Sequence, residues 1–191
     1  MVYIDDDLEQ FDLEEALTLL PLQRYEQAMR FRSEHDRRLS VAVYRLLCRG
    51  LREEYGIEEP PTFEYGAHGK PSLAGHPDIH FNMSHCRQAA ICVLSSHPVG
   101  VDVERFRPYD ERLVSFTMNE EECVKIRQSE RPDVEFIKWW TRKEALLKCR
   151  GTGISHEMRD VLTDVRGVQF TTVVVDRRQY VYTICRQDTG R

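Results

Sequence analysis

Three features are missing from this sequence, and each absence excludes a class of protein. No two cysteines form a C-x-x-C pair, so a structural zinc site is not expected. No apolar run approaches the ~20 residues that a membrane-spanning helix needs. No G-x-x-x-x-G-K-[ST] loop occurs, which removes the P-loop phosphotransferases. Basic residues are also in short supply, 27 Lys and Arg against 32 Asp and Glu, for a net charge of −5. That balance argues against a general nucleic-acid binder, which presents a basic face. The first residues, Met1 to Asp7, are acidic and lack the basic-then-apolar layout of a secretory signal, so a cytoplasmic location is expected. Cys48, Cys86, Cys92, Cys123, Cys149 and Cys185 are scattered, most of them in apolar segments, and read as small buried hydrophobes.

The chain has 191 residues, 41% of them hydrophobic and 31% charged. That is the composition of a folded soluble protein with a core of one or two domains. Strand-like segments are expected at Met1–Ile4, Thr62–Tyr65, Ile79–Met83, Ala89–Ser95 and Val99–Glu104. Two more, Val168–Val175 and Tyr180–Arg186, form a terminal hairpin-like pair. Helices are expected from Asp12 to Leu19, from Pro21 to about Phe31, and from Ser33 to Gly56. Asn119 with Glu122 marks a further helix start, and Pro132 opens a long helix ending near Gly151. Helices then strands, followed by helices then strands, imply an α+β protein of two similarly built halves, residues 1–97 and 98–191.

Two acidic segments carry the chemistry. In Val99–Glu104 the valines alternate with Gly100, Asp102 and Glu104, which places both carboxylates on one face of a strand. An ordinary half-buried strand explains that pattern too, but aspartate is disfavoured in strands, and Gly100 leaves room for a ligand to approach. In the helix after Pro132, Ile137, Thr141, Glu144 and Lys148 share a face. Taken alone, Glu144 and Lys148 read as an i,i+4 ion pair worth a few tenths of a kcal/mol. Brought together, the two faces converge three carboxylates beside a lysine, which can hold a hard divalent cation against a phosphate. A third segment, His80-Phe81-Asn82-Met83-Ser84-His85, ends a strand in Ser84 and His85, both able to donate to a phosphate oxygen. No G-x-S-x-G elbow surrounds Ser84, so it is not a hydrolase nucleophile.

F-N-M-S-H, then G-V-D-V-E, then W-T-R-K-E-A-L-L-K, with Gly69-Lys70-Pro71 upstream, resemble in order and spacing the 4′-phosphopantetheinyl transferases, the larger surfactin-synthetase-activating type more than the short holo-acyl-carrier-protein synthases. The matched segments run from about Arg24 to Lys148. The resemblance implies two α+β halves related by a pseudo-twofold, with the active site in the cleft between them, and a chain that works as a monomer. It implies transfer of the 4′-phosphopantetheine arm of coenzyme A to a serine of an apo acyl or peptidyl carrier protein, releasing adenosine 3′,5′-bisphosphate. It implies Mg²⁺ held by Asp102, Glu104 and Glu144, and Lys148 on the phosphates. Glu144, or less directly Glu120, would be the general base. Ser84, His85, Arg24, Arg38 and Lys70 would contact coenzyme A, His85 at its 3′-phosphate. Two rivals stand beside this reading: another Mg²⁺-dependent phosphotransferase or phosphohydrolase, and a non-catalytic module that binds coenzyme A or the carrier.

Overall fold

A computed structural model of the chain describes residues 1–153 and 158–188. The first part runs β1 (Val2–Asp5), α1 (Leu13–Thr18), α2 (Leu22–Met29) and α3 (Glu34–Tyr55), then β2 (Phe63–Tyr65), β3 (Pro71–Leu73), β4 (His80–Cys86) and β5 (Ala89–Ser95). The second part runs β6 (Val99–Arg105), α4 (Glu111–Thr117), α5 (Glu120–Arg127), α6 (Pro132–Arg150), β7 (Val168–Val175) and β8 (Tyr180–Gln187). The architecture is α+β.

The helix ends follow local chemistry. Ser33 Oγ accepts from the Asp36 N–H at 3.2 Å to start α3, and Gly56 ends it in the left-handed region at φ 66°. Asn119 and Glu122 form a reciprocal capping box on α5. Pro132 opens α6, where a missing N–H is harmless, and Gly151 closes it at φ 69°.

Two antiparallel sheets, ordered β1-β5-β4 and β6-β8-β7, each carry one long helix, and β2 and β3 form a separate hairpin. Leu39, Val43, Leu47 and Leu51 of α3 bury against Tyr3, Phe81, Cys92 and Leu94 of the first sheet. Each such fully buried side chain contributes about 1.5–3 kcal/mol. Between the sheets, Ile91 and Val93 pack against Val99, Val101, Val103 and Ile184. The valine face of β6 is therefore the seam between the two sheets, and the Asp102 face is left to α6.

Three details differ from the sequence expectation. β4 continues to Cys86, so Ser84 and His85 lie within the strand, opposite Ile91 and Ala90 of β5, rather than at its end. β3 and α4 were not expected, although Asp110 starts α4 by accepting from the Arg112 and Leu113 N–H groups. Third, the space at Gly100 belongs to α6 and not to a ligand. A Cβ there would lie 2.1 Å from the Ala145 carbonyl oxygen and 2.4 Å from the Cys149 nitrogen. Both are backbone atoms, so Gly100→Ala must push the helix off the strand. We expect a loss of about 1–3 kcal/mol in urea unfolding. Unfolding at the wild-type urea midpoint would show that α6 yields without strain.

Candidate active site

The close approach at Gly100 sets α6 over β6 so that Lys148, on the last turn of the helix, reaches Asp102 at the centre of the strand. Lys148 Nζ lies 2.6 Å from Asp102 Oδ1. Lys148 thus pairs across elements with Asp102, and the i,i+4 pair with Glu144 that its helix spacing suggests is not the bond it makes. Ser84 ties the pair together. Its hydroxyl donates to Asp102 Oδ1 at 3.1 Å, and accepts from Lys148 Nζ at 3.2 Å and from the Val103 N–H at 3.3 Å. A hydroxyl has one proton and two lone pairs, so Ser84 is fully used. Its proton orients Asp102, where the sequence suggested a phosphate donor.

Asp102 is only 5% exposed, and its second oxygen, Oδ2, is buried without a hydrogen-bond partner. A buried carboxylate oxygen of this kind calls for a cation or a donor. Glu104 follows on the same face of β6, and Glu144 stands one turn before Lys148 on α6. Burial, then the negative charge of Asp102, push the Glu104 carboxyl above its ordinary range, against Arg107, Lys148 and the Trp140 indole. Burial and Asp102 raise Glu144 likewise, with Lys148 opposing. This is a pocket of excess negative charge. Among the described residues, no three His, Cys, Asp or Glu side chains already converge on one cation position. The donor set nevertheless fits Mg²⁺, which takes one or two carboxylates from a protein and fills its octahedron with waters and substrate phosphates.

A cavity of about 220 Å³ opens beside this cluster, lined by Gly69, Lys70, Asn82, Glu144, Lys148 and Gly151 among others. Lys70 bridges the two parts of the chain there. Its Nζ donates to Val99 O at 3.1 Å and to Cys149 O at 3.0 Å, favourably placed at the negative end of α6. Two of its three protons are engaged and one remains for a ligand. Burial holds its pKa below the ordinary lysine range.

His85 points the other way, since successive strand residues face opposite sides. It lines a second cavity of about 520 Å³ together with Ser33, Asp36, Arg87 and Arg105. Loss of solvent around the ring, then the Lys148 charge, hold His85 below the ordinary imidazole range, with Asp36 opposing.

The remaining expected residues are not brought to the carboxylate cluster. Arg38 is 9% exposed and donates to Leu8 O at 3.2 Å, Phe11 O at 2.7 Å and Glu34 Oε1 at 3.2 Å. Its charge fixes the turn before α1, which departs from the nucleotide contact expected of it. Arg24 lies over the Tyr44 ring and donates to Ser40 O and Gln27. Glu120 is exposed on the first turn of α5, and no hydrogen bond or ion pair among the described residues links it to Asp102 or Lys148.

Two functional groups escaped the sequence reading. Asn82 accepts from the Val101 N–H at 2.8 Å and so joins β4 to β6. β4 and β6 share no backbone ladder, and the Asn82 and Ser84 side chains stand in for one. Asparagine is disfavoured in strands, and its place in β4 was the available signal. The other is Lys143, fully buried beside Glu144 and bonded to Glu122 at 2.6 Å.

The model of the 4′-phosphopantetheinyl transferase superfamily matches residues 98–189. The chain is 29% identical to 4′-phosphopantetheinyl transferase psf-1 of Bacillus pumilus over 156 residues, 80% of this chain and 67% of that protein. It is 26% identical to 4′-phosphopantetheinyl transferase Sfp of Bacillus subtilis (strain 168) over 157 residues, covering 81% and 70% of the two chains. With 4′-phosphopantetheinyl transferase HetI of Nostoc sp. it shares 31% identity over 151 residues, 73% and 63% of the two.

Proposed function

This chain belongs to the 4′-phosphopantetheinyl transferase superfamily, of the Sfp-like type, and from that premise we propose that it transfers the 4′-phosphopantetheine arm of coenzyme A to a serine of an apo carrier protein, with Mg²⁺ and with release of adenosine 3′,5′-bisphosphate. The observation that carries this reading is the Lys148–Asp102 pair at the edge of a cavity, with an unpartnered Asp102 oxygen and two glutamates whose pKa its charge helps to raise.

Asp102, Glu104 and Glu144 would hold the Mg²⁺. When bound, the ion supplies neutralisation of the charge that builds on the leaving phosphate. Lys148 offsets the carboxylates and meets the phosphates of coenzyme A, and the remaining proton of Lys70 serves the same ligand. Glu144, its carboxyl more basic than usual, accepts the proton of the carrier serine directly or through a water. Glu120, exposed and apart, is the weaker base. His85, on the far side of β4, suits a second phosphate group of the same ligand. We place the reaction in the cytoplasm and in a monomer. No described helix is long and apolar enough to cross a membrane.

The test is to incubate the protein with coenzyme A, Mg²⁺ and apo carrier proteins, and to follow carrier mass and nucleotide product. One added arm per carrier, abolished by chelator and by Glu144→Ala, is the expected result. Carriers that stay apo while phosphate is released would point instead to a phosphohydrolase.

The raised carboxyls make a pH prediction. A carboxyl whose folded pKa is raised contributes stability below its unfolded pKa, and loses it as pH rises through the folded value. As pH rises through those folded values, Glu104 and Glu144 ionise at a cost to the fold that a bound cation relieves. Mg²⁺ is expected to raise the thermal midpoint more at pH 8 than at pH 5, where protons compete for the same oxygens. Equal shifts at both pH values would remove these glutamates from the metal site.

A further inference from the structure

Asn82 sits on β4, 7% exposed, in the wall of the cavity that Lys70, Glu144 and Lys148 also line. Its orientation is dictated by its neighbour. The Val101 N–H donates to it at 2.8 Å, and only the oxygen of a carboxamide can accept. Oδ1 is thus locked toward β6, and Nδ2, with two protons, is turned away from it. No acceptor among the described residues takes those protons, and Nδ2 is not among the buried atoms left without a partner. A donor neither bonded among the described residues nor sealed in, on a residue that lines the cavity, opens into that cavity.

The cavity already presents two cations, Lys70 and Lys148, beside one carboxylate, Glu144. Between them Asn82 adds a neutral, directional donor whose aim is fixed by the backbone of the catalytic strand. We propose that Asn82 is a further ligand-binding residue, its Nδ2 donating to a phosphate oxygen of coenzyme A, and that its oxygen is reserved for β6. The proposal rests on the coenzyme A reading above. It also links binding to the position of Asp102, because one side chain touches both the ligand and the strand that bears the carboxylate.

The experiment is calorimetric titration of wild-type protein, Asn82→Asp and Asn82→Ala with coenzyme A and with inorganic pyrophosphate, alongside thermal midpoints. Asn82→Asp keeps an acceptor for Val101 and removes the donor but adds one negative charge, so affinities are compared at low and high salt, where a through-space charge effect is screened and a lost hydrogen bond is not. It is expected to stay folded and, at high salt, still to bind both probes roughly ten- to a hundredfold more weakly, the range for a hydrogen bond to a charged group. Asn82→Ala loses the strand contact as well, and is expected to lower both affinity and midpoint. If Asn82→Asp binds as wild type while Asn82→Ala does not, Asn82 only joins the strands and the inference is overturned. Wild-type protein that binds neither probe gives a different result, overturning the coenzyme A reading and this inference with it.

Discussion

Asp102→Ala is expected to lower the rate of carrier modification by about 10²–10⁴-fold, the range for removing a group that stabilises charge directly at the reacting centre. Three contacts end together in this substitution. Lys148 loses the partner 2.6 Å away, Ser84 loses its acceptor, and the buried oxygen offered to a cation disappears. Stability should move little, or rise, in the absence of Mg²⁺. The lost carboxylate is buried with one oxygen unpaired, whereas the lysine left behind is 30% exposed and remains solvated. Activity and folding thus separate. Intact-mass kinetics beside thermal unfolding reads both, and a variant that unfolds early but turns over normally would assign Asp102 to the fold instead.

Lys143→Met is expected to do the reverse and cost about 3–5 kcal/mol of stability. Lys143 is wholly buried, and its ammonium faces Glu122 Oε2 at 2.6 Å, Met158 O at 2.7 Å, Thr117 O at 3.0 Å and Arg159 O at 3.2 Å. Removing the cation strands a carboxylate that is 3% exposed, together with three carbonyls, away from water. Because α4, α5 and α6 meet at this one ammonium, the position of neighbouring Glu144 loosens with it. Adding Glu122→Gln to Lys143→Met should recover part of the loss, since the uncompensated charge is then gone. Urea denaturation of the single and double variants decides this. A single-variant cost below about 1 kcal/mol would mean that water already reaches the pair.

The pattern of elements was written locally. Ala89–Ser95 and Val168–Val175 alternate or run apolar within turn signals, and the structure makes strands of those spans. Pro132 and Gly151 bracket α6 because one lacks an N–H and the other tolerates a left-handed turn. Hydrophobic period and end chemistry act over one or two turns of chain, so a single sequence carries them in full. The same holds for the side-by-side placement of Asp102 and Glu104, which follows from the two-residue period of a strand.

Partners between distant residues are decided otherwise. Helical spacing taken alone pairs Lys148 with Glu144, whereas the bond goes to Asp102, 46 residues away in the chain, on the acidic strand face that the sequence already set beside this lysine. An i,i+4 surface pair gains only a few tenths of a kcal/mol, while a buried carboxylate without a partner is far more costly, so the tertiary demand prevails. Gly100 looked like room for a ligand, and only packing shows that a helix backbone fills it. Arg38 looked available until folding brought the Leu8 and Phe11 carbonyls to it. Asn82 and Lys143 have roles that no local pattern specifies, because what each bonds is set by the elements that folding places around it. The sequence by itself determined which side chains share a face. Only the tertiary structure decided which faces meet, because desolvation and close packing act between segments far apart in the chain.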